Sequence, residues 1–331
     1  MASEPNPFET LKQIAAGACL PRCLHVIAEL GVADALGDEP RTATELATSV
    51  GAHPDALHRV LRLLSAHGVF ELRGSHVSHS PASRLLQANH PQSMRSLARM
   101  FGLPINWSPY LELRHTVETG QPASGKTLPG GYWNYFEHDS SAAQIFNEAM
   151  AAKARGQVAG IMAAYDFSRF KLIADIGGGR GHLLSAVLNS TPAAKGVLFD
   201  SPHVIRDASA VAADRITLQA GDFFADALPV CDLYLLMEVI HDWDDDKASK
   251  ILSAVRRAAS RKATLLVLES MVPDDPAPDF IKTLDIVMLT LLGGKQRSFA
   301  EYQELLRNSG FLVAREIPTR AGISILEASA A

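Results

Sequence analysis

Three stretches of the chain carry residue types that do chemistry. The first, LMEVIHDWDDDKASKIL (residues 236–252), sets His241, Asp242, Asp244, Asp245 and Asp246 around Trp243 at the mouth of an apolar run. A cation loop, a helix cap and a catalytic base are the chemistries open to such a cluster. Taken as positions 1, 3 and 5 of a calcium loop, Asp242, Asp244 and Asp246 would be followed by Lys247 where glycine is required and by Ser253 where a bidentate glutamate is required, which excludes the EF-hand. Asp244 or Asp245 is placed to cap the helix that follows, where negative charge meets the positive helix end. That leaves His241 and Asp242 at the C-terminal end of a strand, the edge at which α/β sheets bind ligands. An imidazole there can be a general base or a structural hydrogen-bonding group.

The second stretch, LIADIGGGRGHLLSAVL (residues 172–188), reads as strand, glycine-rich turn, helix. Asp175 ends the strand, and Gly177, Gly179 and Gly181 let the backbone approach a ligand. A dinucleotide fingerprint needs a glycine at the sixth position counted from Gly177, and His182 stands there. Its absence favours a nucleoside ligand without a pyrophosphate. Asp200, at the end of the next strand, can accept hydrogen bonds from both hydroxyls of a ribose. The third stretch, QAGDFFADALP, places Asp222 at the end of a third strand with Phe223 behind it, an acceptor and a ring suited to adenine. A strand-end aspartate often only caps a turn; three in register on successive strands argue for a site.

The elements that position these residues follow from hydrophobic rhythm. From residue 171 onward, candidate strands at 172–176, 196–199, 216–219, 233–237, 264–268, 311–315 and 323–327 alternate with helical patterns, the signature of a parallel doubly wound sheet. Upstream, Thr42 with Glu45 forms a capping box, Gly51 ends that helix, Pro54 begins another with Leu57, Val60, Leu61 and Leu64 on one face, and Gly68 stops it. Residues 69–72 and 76–80 then read as a hairpin, which completes a winged-helix pattern. DNA binding is the functional reading of such a unit, but Arg59 and Arg62 alone are thin for a recognition helix; packing and dimerisation is the other. Residues 90–170 read as mostly helical, with a loop over 120–133 and a long helix over 140–166 on which Phe146 and Met150 share a face.

The 331 residues suffice for two domains, and 47 % apolar with 20 % charged residues is an ordinary globular mix. A net charge of −5 argues against nucleic acid as the main partner. Cys19, Cys23 and Cys231 form no disulfide framework, and Cys19 with Cys23 lacks further ligands for a metal, so no metal is expected. The N-terminus lacks a basic start before an apolar stretch, and no uncharged run approaches the roughly 20 residues that span a bilayer. A cytoplasmic protein is expected.

Taken together, LIADIGGGRGHL, LFDSPHVI, GDFF, VIHDWDDDKASKIL and IVMLTLLGGKQRSFAEYQELLRNSGF resemble the S-adenosylmethionine-dependent O-methyltransferases of the caffeic acid and hydroxyindole O-methyltransferase type, with their bacterial natural-product tailoring members. The likeness covers nearly the whole chain. It implies a Rossmann-like methyltransferase domain with a seven-stranded, mostly parallel sheet over 101–331, of which 101–168 are linker and pocket helices and 169–331 the core. Residues 1–100 would be an α-helical winged-helix domain that makes a homodimer.

The resemblance assigns Asp175, Gly177, Gly179 and Gly181 to the methionine end of S-adenosylmethionine, Asp200 to the ribose, and Asp222 with Phe223 to the adenine. Ser201, Gly221, Met237 and Trp243 would complete the cofactor site. Plant members of the family often carry a lysine at the position of Met237. His241 would be the general base, with Asp242 beside it and Glu269 orienting it. The family's second orienting acid lies in a GGKER motif; here the text is GGKQR, so Gln296 replaces it and implies a less basic His241 than in enzymes with both acids. Phe146, Met150, Met288 and Gln296 would line the acceptor pocket. The implied reaction methylates a phenolic hydroxyl of a small aromatic metabolite, leaving S-adenosylhomocysteine. Relatives that use the bound cofactor as a scaffold for hydroxylation, decarboxylation or pericyclic chemistry are one alternative. A winged-helix regulator that senses a nucleoside is another.

Overall fold

The computed structural model describes residues 6–208 and 214–331. They form two compact units. One takes in the chain up to Trp107 with Tyr135–Ala152, and the other Ser108–Asn134 with Lys153–Ala331.

In the first unit the capping box is present: Thr42 accepts the Glu45 N–H and the Glu45 carboxylate accepts the Thr42 N–H, starting the helix Ala43–Val50, and Gly51 ends it in the left-handed region (φ 68°). The helix Pro54–Ala66 follows and buries Leu57, Leu61 and Leu64. Strands β1 (Arg41–Thr42), β2 (Phe70–Arg73) and β3 (His76–His79) form a small antiparallel sheet in the order β1-β3-β2. The expected helix, turn, helix and hairpin are therefore all there. Ser80 is not strand; its side chain accepts the Ser83 N–H and caps the next short helix. Ile27, Leu36, Leu46, Leu61, Leu64, Phe70 and Val77 make one core cluster.

The second unit is built on strands β4 (Leu172–Ile176), β5 (Lys195–Asp200), β6 (Ile216–Ala220), β7 (Leu233–Met237), β8 (Thr264–Glu269), β9 (Phe311–Pro318) and β10 (Ser324–Ala330), in the order β6-β5-β4-β7-β8-β10-β9. β4 to β8 run parallel, and β10 is antiparallel to both β8 and β9. The central strands β4, β7 and β8 are apolar runs buried on both faces, as parallel strands covered by helices must be. From β4 the chain steps one way to β5 and the other way to β7, so the carboxyl ends of β4, β5, β7 and β8 meet at the point where strand order reverses. α/β sheets bind ligands at such points.

Three expectations need correction. β6 ends at Ala220, so Asp222 sits in the turn beyond it, with its carboxylate accepting the Phe224 N–H rather than finishing a strand. Residues 120–133 are not all loop: Ser124–Thr127 is helical and a helix starts at Tyr132, with Ser124 Oγ anchored on the Leu291 carbonyl (2.6 Å). β10 runs on to Ala330 and β9 to Pro318, because their pairing extends past the apolar stretches that revealed them. Among the described residues no helix is long and apolar enough to cross a membrane.

Candidate active site

The glycine turn after β4 is held by its neighbours and open above. The Gly177 N–H donates to the Phe199 carbonyl (2.8 Å) and the Gly179 N–H to Asp200 Oδ2 (2.8 Å), while Asp200 Oδ1 accepts the Ser201 N–H (2.7 Å). Gly177, Gly179 and Gly181 all take φ near +60–70°, a region costly for a residue with a Cβ. A Cβ on Gly177 would stand 2.8 Å from Val239 Cγ2, whereas one on Gly179 would meet nothing within 4 Å. Asp175 lies beneath this turn rather than in it, 1 % exposed, directly under Gly178, with both carboxylate oxygens lacking a hydrogen-bond partner. Burial first, and the nearby Asp200 charge second, push its carboxyl up to about 7. Burial likewise raises Asp200, against hydrogen bonds that favour its charged form.

Beyond β6, the Gly221 N–H donates to the Asp200 carbonyl (3.0 Å) and a Cβ there would strike the Phe199 ring. Phe223 and Trp243 meet edge to face with ring centres 5.9 Å apart, and Phe224 closes the cluster at 4.9 Å from Trp243. Asp222, Phe223 and Trp243 therefore come together as expected; Phe224 was missed, though it stands beside Phe223 in the sequence.

His241 sits in a turn of 3₁₀ helix, Ile240–Asp242, just past β7, and is buried. Glu269, the last residue of β8, is fully buried; its Oε1 accepts the N–H groups of Ile240 (3.0 Å) and His241 (3.2 Å), and its Oε2 stands 3.0 Å from His241 Nδ1. Nε2 is 3.3 Å from Oδ1 of the partly exposed Asp242. Burial alone would lower the imidazole pKa. The charge of Glu269, with hydrogen bonds to Asp242 and Glu269, outweighs it and holds His241 well above the usual histidine value. Asp242 thus supplies a second negative charge where Gln296 supplies none.

Gln296, also buried, lies with its amide nitrogen 3.0 Å from Nδ1 and its Oε1 without a partner. A ring nitrogen that donates to Glu269 cannot also accept. With the two amide atoms exchanged, an assignment that hydrogen bonding and not heavy-atom position decides, Oε1 becomes a second acceptor for Nδ1–H. The segment 293–297 lies against the His241 turn: a Cβ on Gly294 would fall 2.2 Å from the His241 carbonyl oxygen, and the Lys295 N–H donates to that oxygen (2.9 Å). Met288 is half-buried on the helix Phe280–Leu291 of the same unit, its carbonyl accepting the Gly294 N–H (3.2 Å). Phe146 and Met150 are half-buried in the other unit, where Phe146 packs on Phe136 at 4.7 Å.

Asp244 is the N-cap of the helix Asp245–Ala258, accepting the Lys247 N–H at 2.8 Å, and this settles the cap reading of the aspartates. Two further residues escaped the sequence analysis. Glu238, beside Met237, is among the described residues the one non-glycine with positive φ (52°), and its carboxylate pairs with Lys153 Nζ at 2.7 Å. Arg297, visible in GGKQR but unassigned, is fully buried.

The residues present fit S-adenosylmethionine. The turn offers open space above Gly179, Asp200 and Asp222 offer carboxylate acceptors, and Phe223 with Trp243 offer a ring surface. The acidic lining suits a ligand that brings a sulfonium and an ammonium.

Comparison with known proteins agrees. Residues 110–312 match the model of an O-methyltransferase domain and residues 12–89 that of an O-methyltransferase dimerisation domain. The chain is 39 % identical to a phenazine O-methyltransferase of Lysobacter antibioticus over 96 % of this chain and 95 % of that one. It superposes on the solved mitomycin 7-O-methyltransferase with a TM-score of 0.89 at 36 % identity, covering 98 % and 97 % of the two chains. It also superposes on an O-methyltransferase of neocarzinostatin biosynthesis, solved with S-adenosylhomocysteine and 1,4-dihydroxy-2-naphthoic acid, with a TM-score of 0.80 at 32 % identity over 95 % and 96 %.

Proposed function

The chain belongs to the S-adenosylmethionine-dependent O-methyltransferases, and from that membership we propose that His241 is the general base for methylation of a hydroxyl on a small aromatic metabolite. The observation that carries this is the array Asp242–His241–Glu269 at the carboxyl end of β7, two residues past the Val239 side chain that packs on Gly177.

When bound, S-adenosylmethionine supplies a methyl group on a cationic sulfur. Asp200 with Ser201 would hold the ribose. Asp222, Phe223 and Trp243 would hold the adenine, and the backbone of Gly177, Gly179 and Gly181, with Gly221 and Met237, would flank it. Asp175 would support the turn from below. A phenol with a pKa near 10 is mostly un-ionised at neutral pH. His241 Nε2 would take its proton as the oxygen attacks the methyl carbon, and S-adenosylhomocysteine would leave. Glu269 fixes the proton on Nδ1, so that Nε2 is the nitrogen left to accept, and it stabilises the imidazolium that forms. Asp242 holds Nε2 in the resting protonated ring and must yield that position to the acceptor.

We place Phe146, Met150, Met288 and Gln296 in the acceptor pocket. Residues 1–100 would form the dimerisation domain and 101–331 the catalytic domain. The dimerisation match favours a homodimer over DNA binding for the winged-helix unit, and we expect a cytoplasmic enzyme. The test is to incubate the protein with S-adenosylmethionine and a panel of phenolic acceptors, and to look for S-adenosylhomocysteine and a product heavier by one methyl. His241→Ala should lower turnover at least about tenfold, the lower reach of general-base effects, with cofactor affinity retained. Unchanged turnover in that variant removes the base assignment.

A further inference from the structure

Arg297 is the largest fully buried side chain among the described residues. Its guanidinium reaches the turn that carries His241. Nη1 donates to the Ile240 carbonyl (3.1 Å) and the Lys295 carbonyl (3.1 Å), Nη2 to the Trp243 carbonyl (2.9 Å), and Nε to Asp245 Oδ1 (2.9 Å), which Nη2 also approaches at 2.8 Å. All three guanidinium nitrogens are thus engaged, and the carbonyls of Ile240 and Trp243 bracket His241 on both sides. The face of the guanidinium lies 5.8 Å from the centre of the buried Tyr302 ring. The Lys295 N–H, from the same segment, holds the His241 carbonyl itself.

We propose that Arg297 is a positioning residue: by clamping the carbonyls on either side of His241, it holds the imidazole in line with Glu269. This rests on the reading of His241 as the base. The segment 293–297 then has two separable tasks. Residue 296 sets the charge beside Nδ1, and residue 297 sets where the ring stands. The second task survives the change of glutamate to glutamine at 296. Only a planar fork can do it. A lysine ammonium has three donors on one atom and cannot reach acceptors on both sides of the turn at once.

The groups that bear on the ring are Glu269 from β8, Asp242 from its own turn, Glu238 at the end of β7 with its Lys153 partner, and Gln296 from the segment itself. Of these, Glu269 is the one that acts on the ring through a 3.0 Å contact from a fully buried carboxylate, so its pull on the ring depends on where the ring stands.

The experiment compares the full chain with Arg297→Lys and with Asp245→Ala. The second variant removes the outer anchor of the guanidinium, together with the half-exposed Lys295 ion pair, and leaves Asp244 as the helix cap. The ring titration of His241 is followed by ¹⁵N NMR, with His241→Gln identifying its signals, and S-adenosylhomocysteine affinity is measured by calorimetry. Both variants should bind S-adenosylhomocysteine within about threefold of the parent, the span of a structural change worth well under 1.4 kcal/mol. The His241 midpoint should fall by about one pH unit or more in Arg297→Lys and by less in Asp245→Ala, the scale of a weakened charge-assisted hydrogen bond. Should Arg297→Lys fail to fold, Asp245→Ala still carries the test. An unchanged midpoint in the folded variants overturns the proposal, as does an affinity loss as large as the titration shift, which marks a general structural role. The titration needs no methyl acceptor, so it stands apart from whether His241→Ala loses turnover.

Discussion

Glu269 faces His241 with both of its oxygens: Oε2 stands 3.0 Å from the ring Nδ1, while Oε1 accepts the backbone N–H groups of His241 and its neighbour Ile240. One carboxylate therefore orients the side chain and fixes the turn that carries it. The backbone beneath the ring is thus tied to the same acid that the ring faces.

The first consequence concerns pH. His241 is held above the ordinary histidine value, so the ring keeps its proton to higher pH than a free imidazole and must lose that proton before it can act. Turnover should rise with pH along a single-proton limb whose midpoint lies above about 6.5, the unperturbed value. The same shift stabilises the fold. Its contribution is complete below about pH 6.5 and is lost as pH rises through the folded-state value, because the folded protein holds the proton that the unfolded chain has released. A rate profile that is flat from pH 6 to 10 would contradict this.

Glu269→Gln keeps an acceptor for the two backbone donors but removes the charge. The His241 limb should move to lower pH and turnover at the optimum should drop, within the roughly 10²–10⁴ that a general base contributes. Glu269→Ala should in addition lower thermal stability, since it strands buried donors that cost about 1–3 kcal/mol each. Equal melting temperatures for the two variants would count against the double role of the carboxylate.

Gln296→Glu installs a second buried acid against Nδ1. The expected result is an upward shift of the same limb with little gain in turnover on the alkaline side, where the ring is already neutral. A downward shift would show that residue 296 does not contact the ring.

Asp175 is raised to about 7 by burial and by Asp200, and it is therefore largely protonated in the fold below neutrality while the unfolded chain ionises near 3.8. The folded state then binds more protons across that interval, so this group makes stability fall as pH rises from about 4 to about 7 and level off above. Asp175→Asn should remove that slope: its melting temperature should gain on the parent as pH rises through the interval. Parallel melting curves from pH 4 to 8 would refute the shift.

The strands of the sheet, though not their order, were legible because parallel strands sealed on both faces need largely apolar runs, and 172–176, 233–237 and 264–268 are such runs. His241, Asp200 and Asp222 were legible because polar residues at or shortly after the end of a parallel strand fall at the carboxyl edge. The clamp was not. Arg297 differs from a surface arginine only in what lies around it, and the two carbonyls it clamps, those of Ile240 and Trp243, lie more than fifty residues away and leave no mark in the text. Asp175 ends a strand beside glycines, and its burial directly under Gly178 follows from the path of the turn, which the text does not spell out. Asp242 as a second charge was equally hidden, since adjacency in sequence says nothing about which ring nitrogen a carboxylate faces.

The left-handed backbone at Glu238 has a consequence for anyone diversifying this site. Variants there would be sorted by main-chain tolerance before any question of polarity arose. Glycine and asparagine should be the survivors of a saturation library scored by soluble yield. Valine, isoleucine and threonine should be lost, because a branched side chain in that conformation costs on the order of 1–2 kcal/mol. Only among the survivors would the missing bond to Lys153 become readable.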